Sequence, residues 1–170
     1  EFGYYSLVNN MTIIIKNKDT LEYGDFKFRC CVGKNGFTKK KLEGDKKTPK
    51  GIYSIDKLYF RKDKISKPET NLSVIEIKKN MGWCNDVKSK AKYNKILNIN
   101  SKFKHEKLFR KDFKYNLLIP IKYNWNKSKI GKGSAIFIHL TKNYKPTAGC
   151  IGLSEKDFLI MIKLINTKTK

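Results

Sequence analysis

Two histidines and four cysteines hold most of the nucleophilic and general-base chemistry open to this chain: His105, His139, Cys30, Cys31, Cys84 and Cys150. Of these, His139 and Cys150 fall within one segment, SAIFIHLTKNYKPTAGCIGL at 134–153. A thiol that follows glycine sits where backbone can approach closely, and the local N–H groups suit an oxyanion hole. An imidazole at a neighbouring strand end can pair with that sulfur, taking its proton and returning it. A thiol and an imidazole so paired meet the requirement of cysteine-dependent acyl transfer. The plainer alternative for both residues is structural, a buried cysteine acting as a small hydrophobe and a histidine satisfied in the core. HExxH, HxH and CxxC are all missing from the sequence, so no metal and no cofactor are expected.

The elements that must position this pair read as strands. Stretches 12–16, 26–32, 52–60, 72–78, 114–122 and 134–140 are rich in Ile, Val, Phe and Tyr and are separated by Gly, Asn, Asp and Lys clusters. That pattern predicts a mainly β fold, sandwich or barrel-like, with one C-terminal helix and a few short helices. In SAIFIHL, alternation puts Ala135, Phe137 and His139 on one face and Ile136, Ile138 and Leu140 on the other. The C-terminal helix starts at Ser154, with Asp157 in capping-box position, and presents Phe158, Leu159, Met161, Ile162, Leu164 and Ile165. A second, short helix is predicted near 105–112 from the spacing of His105, Leu108, Phe109 and Asp112. Segment 80–100 has little periodicity and several turn formers, so it reads as a long loop, the kind that usually carries function.

At 170 residues the chain has the length of one domain, and its composition, 39% apolar and 12% aromatic, excludes disorder and a transmembrane bundle. Residues 11–170 are read as a single catalytic domain, and 1–10 as a possible tag or upstream segment. The formal charge of +23 calls for an anionic partner. Arginine occurs only three times among the 38 Lys and Arg residues, and the 35 lysines are scattered through the chain rather than gathered in a stripe. A solvated surface therefore explains the charge better than nucleic-acid reading, for which Arg is the usual instrument. A lysine-rich module that stacks single strands on Tyr, Phe and Trp stays as the alternative outside enzymology. The cysteine spacing shows no disulfide ladder, and neighbouring Cys30 and Cys31 point to opposite strand faces, so a reducing compartment is expected. Cys30, Cys31 and Cys84 read as structural.

His139 followed by Thr147, Gly149, Cys150, Ile151 and Leu153 resembles the catalytic motif of the YkuD-type L,D-transpeptidase domain, a strand histidine and then Ser/Thr-x-Gly-Cys-Ile/Val-x-Leu. The upstream Thr-Pro-x-Gly-hydrophobic element of that family is matched by Thr48, Pro49, Gly51 and Ile52. CVGKNG at 31–36, YFRKDK at 59–64, GWCND at 82–86, HEKLFRKD at 105–112 and YN at 123–124 are similar to a compact branch of it. The resemblance covers about residues 26–165.

It implies acyl transfer on peptidoglycan stem peptides or muropeptide fragments, with Cys150 as nucleophile, His139 as base, Gly149 and Cys150 as oxyanion donors and the Leu140 carbonyl orienting the imidazole. An amine acceptor makes the enzyme a transpeptidase, and water makes it a carboxypeptidase. The compartment is cytoplasmic if the chain is complete, and periplasmic or at the cell wall if a signal peptide was removed. A monomer without a membrane segment is expected. Many relatives carry His where Ala148 stands, Arg where Gly152 stands and Gly where Leu140 stands. Arg61 and Arg110 are the candidates to replace the missing arginine, each with a structural ion pair as the competing role, for Arg110 with Asp112. Thr147, His105, Tyr123, Asn124 and Trp83 are further candidates for substrate contact, with Asn85 a possible pocket wall beside them.

Overall fold

Short β-branched and aromatic runs interrupted by turn formers fold here into pleated strands of two to six residues. The computed structural model describes residues 12–170, so the tag-like reading of 1–10 lies outside the described residues. The main sheet has eight strands in the order β1 (Ile14–Asn17), β2 (Thr20–Tyr23), β3 (Phe26–Cys31), β13 (Ile151–Leu153), β12 (Phe137–Leu140), β11 (Leu117–Pro120), β6 (Leu58–Phe60) and β7 (Val74–Glu76). It is mixed: β12 with β13 and β6 with β7 run parallel, and the other neighbours antiparallel. A three-stranded antiparallel sheet of β10 (His105–Lys107), β8 (Met81–Cys84) and β9 (Ile96–Asn98) stands apart from it. The strands β4 (Phe37–Thr38) and β5 (Thr48–Pro49) form a small parallel pair.

The mainly β expectation holds, and the alternation in SAIFIHL governs the packing. Ile138 and Leu140 enter a core with Leu153 and with Phe158, Met161 and Ile162 of the helix α1 (Glu155–Leu164). Ala135 and Phe137 enter a second core with Trp83, Leu108, Tyr115 and Leu118, against which Cys150 packs. The sheet thus separates a structural face from the face that carries His139. α1 starts as predicted, the Ser154 hydroxyl accepting the Asp157 N–H at 3.2 Å, with Glu155 and Asp157 in the first turn favourable to the helix dipole.

Three expectations need correction. The segment 105–112 is no helix: 105–107 is β10, whose His105, Glu106 and Lys107 pair with Cys84, Trp83 and Gly82, so non-local pairing overrides a weak helical spacing. The loop predicted at 80–100 contains β8 and β9, two strands too short to show a period of their own. Within 52–60 only Leu58–Phe60 is strand, because the Tyr53 hydroxyl donates back to the Lys50 carbonyl at 2.7 Å and the chain turns there. Among the described residues α1 is the single α-helix, and no helix is long and apolar enough to cross a membrane.

Phe158 joins α1 to the sheet and is fully buried. Phe158→Ala is expected to lower stability by roughly 3–5 kcal/mol in urea unfolding. A loss below about 1 kcal/mol would place that side chain outside the core.

Candidate active site

His139 and Cys150 line one cleft of about 650 Å³. β12 presents the imidazole, and Cys150 immediately precedes β13, its parallel neighbour. The His139 Nδ1 lies 2.9 Å from the Leu140 carbonyl oxygen. A carbonyl only accepts, so Nδ1 carries the proton and Nε2 keeps a free lone pair. The Tyr115 ring packs 5.6 Å from the imidazole, centroid to centroid, and closes it from that side.

The sulfur is held by backbone. Cys150 Sγ accepts the Phe137 N–H at 3.3 Å and donates to the Ala135 carbonyl at 3.2 Å. Burial pushes this thiol up to about 12, the Glu106 carboxylate adds to the rise, and the Phe137 N–H opposes it. Burial pulls His139 down to about 4, against its hydrogen bond to Leu140 and with help from the charges of Lys114 and Arg110. At neutral pH the two groups are therefore a neutral thiol and a neutral imidazole, not an ion pair.

The Gly-Cys turn is built from three hydroxyl contacts. Thr147 Oγ1 donates to the Cys150 carbonyl at 2.6 Å and accepts the Gly149 N–H at 3.1 Å. Thr48 Oγ1 donates to the Gly149 carbonyl at 2.8 Å and accepts the Gly33 N–H at 2.9 Å, which ties the Thr48-Pro49 element to the turn. Gly149 has φ +142, and a Cβ there would stand 2.8 Å from the Lys47 carbonyl. Only glycine fits. The expectation of two oxyanion donors needs revision, because the Gly149 N–H is spent inside the turn. Among the described residues no acceptor takes the Cys150 N–H.

The remaining predicted residues separate into two groups. Arg110 and Thr147 line the cleft with Glu106 and Asn85. Arg61 does not: it is buried over the Phe109 ring, bonded to Asp63 at 2.7 Å and donating to the Arg110 carbonyl. His105 lies 2.7 Å from the Phe103 carbonyl and faces β8. Tyr123 donates to the Lys132 carbonyl at 2.5 Å, and Asn124 braces its own loop through the Gly133 and Lys129 carbonyls, each at 2.9 Å. Trp83 is buried against Phe137 and Trp125. None of these five lines the cleft.

Several cleft residues had no motif to announce them. Glu43 accepts from Ser134 Oγ at 2.7 Å and from the Tyr93 hydroxyl. Glu106 accepts from the Tyr115 hydroxyl, and burial raises its carboxyl while Tyr115 and Arg110 pull it back. Among the described residues the buried Asn85 Oδ1, whose residue lines the cleft, has no hydrogen-bond partner, an acceptor left for an incoming N–H. Asn94 stands behind the cleft as a hub. Its Oδ1 accepts Trp83 Nε1–H at 2.9 Å and the Ala135 N–H at 3.0 Å, and its Nδ2 donates to the Tyr123 and Asn124 carbonyls. Through Ala135 it fixes the carbonyl that holds the thiol.

Position 152 leaves no room for a side chain larger than that of glycine. A Cβ at this position would meet Cys31 Sγ at 2.6 Å and Thr141 Cβ at 3.2 Å. The space is filled from β3 and from the residue that follows β12.

Two outcomes follow from this geometry. His139 binds a proton at about pH 4 when folded and near 6.5 when unfolded, so between these values the unfolded chain holds more protons. Its contribution to stability is full above pH 6.5 and is lost as pH falls through 4. Urea unfolding of wild type against His139→Gln across that window should show a difference of roughly 3 kcal/mol, whereas parallel curves would mean an imidazole in ordinary solvation. Gly152→Ala should destabilise the protein more than it destabilises Cys31→Ala, with a coupling of about 1 kcal/mol, and additive effects would remove the contact between the two sites.

The L,D-transpeptidase catalytic domain (YkuD) profile matches residues 4–170. No curated protein and no solved structure matches the chain. A profile match across nearly the entire length, on a mainly β fold with a mixed sheet, places the chain in the L,D-transpeptidase catalytic domain family.

Proposed function

We propose that the cleft performs thiol acyl transfer on peptidoglycan stem peptides, with Cys150 as nucleophile and His139 as general base. The observation that carries this reading is the imidazole oriented by the Leu140 carbonyl in the same cleft as a half-buried thiol. Nε2 takes the thiol proton as sulfur bonds to the carbonyl carbon of the diamino acid at stem position three. The oxyanion that forms accepts the Cys150 N–H. The carbon–nitrogen bond to the terminal D-alanine breaks, its amine takes the proton from Nε2, and a thioester remains. An acceptor amine then bonds to the same carbon, sulfur leaves, and His139 moves the proton from nitrogen back to sulfur. Water in place of the amine gives a carboxypeptidase.

A neutral pair suits this sequence of steps. The base needs a free lone pair at neutral pH, and an imidazole held down to about 4 keeps one. The thiol loses its proton only while the new bond forms, so attack depends on His139. Glu43, Glu106 and the unpaired Asn85 Oδ1 supply acceptors for substrate N–H groups, and the lysine-rich rim favours a ligand with several carboxylates.

Incubation with a disaccharide-tetrapeptide and excess D-methionine, read by mass spectrometry, tests the reading. Exchange of the terminal alanine for methionine identifies amine transfer, and loss of alanine alone identifies hydrolysis. Cys150→Ala is expected to abolish both while leaving thermal unfolding intact. Turnover retained in that variant would overturn the proposal.

A further inference from the structure

The proton that His139 returns goes to the amine of the departing amino acid, an α-amino group. Its α-carboxylate lies two bonds from that nitrogen, so a group that reads it must stand within a side chain's reach of the imidazole. The cleft offers five cations: Lys41, Arg110, Lys114, Lys142 and Lys145. Three of them are occupied. Lys41 is buried against Asp45 at 2.5 Å and the Leu42 carbonyl at 3.1 Å. Arg110 makes a two-point contact with Asp112 at 2.9 and 2.5 Å and lies 3.8 Å from Glu106. The Lys142 ammonium lies 4.4 Å above the Phe113 ring.

Lys114 and Lys145 are exposed and, among the described residues, make no ion pair. Their placement differs. The Lys114 carbonyl accepts the Leu140 N–H at 3.0 Å, and the carbonyl of Leu140 orients His139, so Lys114 is fixed one residue from the imidazole's own anchor. The charges of Lys114 and Arg110 both act on His139. No side chain can enter from position 152, where Cys31 and Thr141 fill the space.

We infer that Lys114, backed by Arg110, binds the free α-carboxylate of the leaving amino acid and so restricts the enzyme to the C-terminal residue of its peptide. Lys114 is a specificity determinant in this assignment. Its side chain lines the cleft three residues before β11, and its exposed ammonium can turn onto the carboxylate as the peptide docks. The inference rests on the acyl-transfer reading above.

The test compares wild type, Lys114→Met, Lys114→Arg and Lys145→Met on one tetrapeptide fragment bearing either a free C-terminal carboxylate or a C-terminal carboxamide. Wild type is expected to favour the acid by about ten-fold or more in kcat/KM, the size of a charge-assisted contact. Lys114→Met should lose that preference through a KM that rises far more on the acid than on the amide. Lys114→Arg should restore it and Lys145→Met should keep it. Equal rates on both peptides in wild type, or a full preference surviving in Lys114→Met, would overturn the assignment. If wild type forms no Cys150 thioester with either peptide, the acyl-transfer reading fails first and the inference falls with it.

Discussion

Everything at the site depends on the parallel pairing of β12 with β13. Parallel neighbours usually need a crossover of a dozen or more residues, commonly a helix, to bring the chain back to the same end of the sheet. Here ten residues, 141–150, make the return. So short a connection arches tightly over one sheet face, and it does so over the face that carries His139. Its last residue, Cys150, is delivered to the start of β13, where Phe137 of β12 binds its sulfur through a backbone N–H. The two candidate catalytic residues are thus brought to one cleft by strand pairing rather than by packing of mobile side chains.

A connection this tight must be braced, and the bracing accounts for residues that look unrelated in sequence. Thr147 closes the turn on Cys150, and Thr48 bolts its far side to the Gly33 backbone. Opposite them, Asn94 joins β8, the 123–124 loop and Ala135 in one buried cluster. Asn94 and Ala135 both hold positive φ, +58 and +53, an uncommon state for residues with a Cβ. Such strain persists where surrounding contacts over-determine it, and it lies directly behind the thiol's carbonyl partner.

Much of this was legible in the sequence where local chemistry controls the outcome. Alternation in SAIFIHL assigned the two faces of β12, Ser154 marked the start of α1, and the Thr147 to Leu153 run marked the turn. The losses share a cause. β8, β9 and β10 span three or four residues each, and their pairing is decided by partners such as Cys84 and His105, far apart in the chain. Asn94 and Glu43 gave no signal because a buried polar hub is defined by what surrounds it. Arg61 drew attention by its rarity, yet the scarcity of arginine says nothing about position, and this one serves Asp63 and the Arg110 carbonyl. The order of residues does not show that the Thr147 hydroxyl reaches the Gly149 N–H and removes it from an oxyanion hole.

The electrostatics complete the account. Burial disfavours the charged form of both groups, so under the proposed mechanism the resting thiol gains its reactivity through proton transfer to His139. The most direct test of the central claim is the mass of the intact protein, acid-quenched during turnover of a tetrapeptide fragment and then mapped by peptide. The account predicts an adduct equal to the fragment less one alanine, on the peptide containing Cys150, forming about a hundred-fold or more slowly in His139→Gln. Turnover with no adduct on Cys150, or with the adduct on Cys30, Cys31 or Cys84, would contradict it.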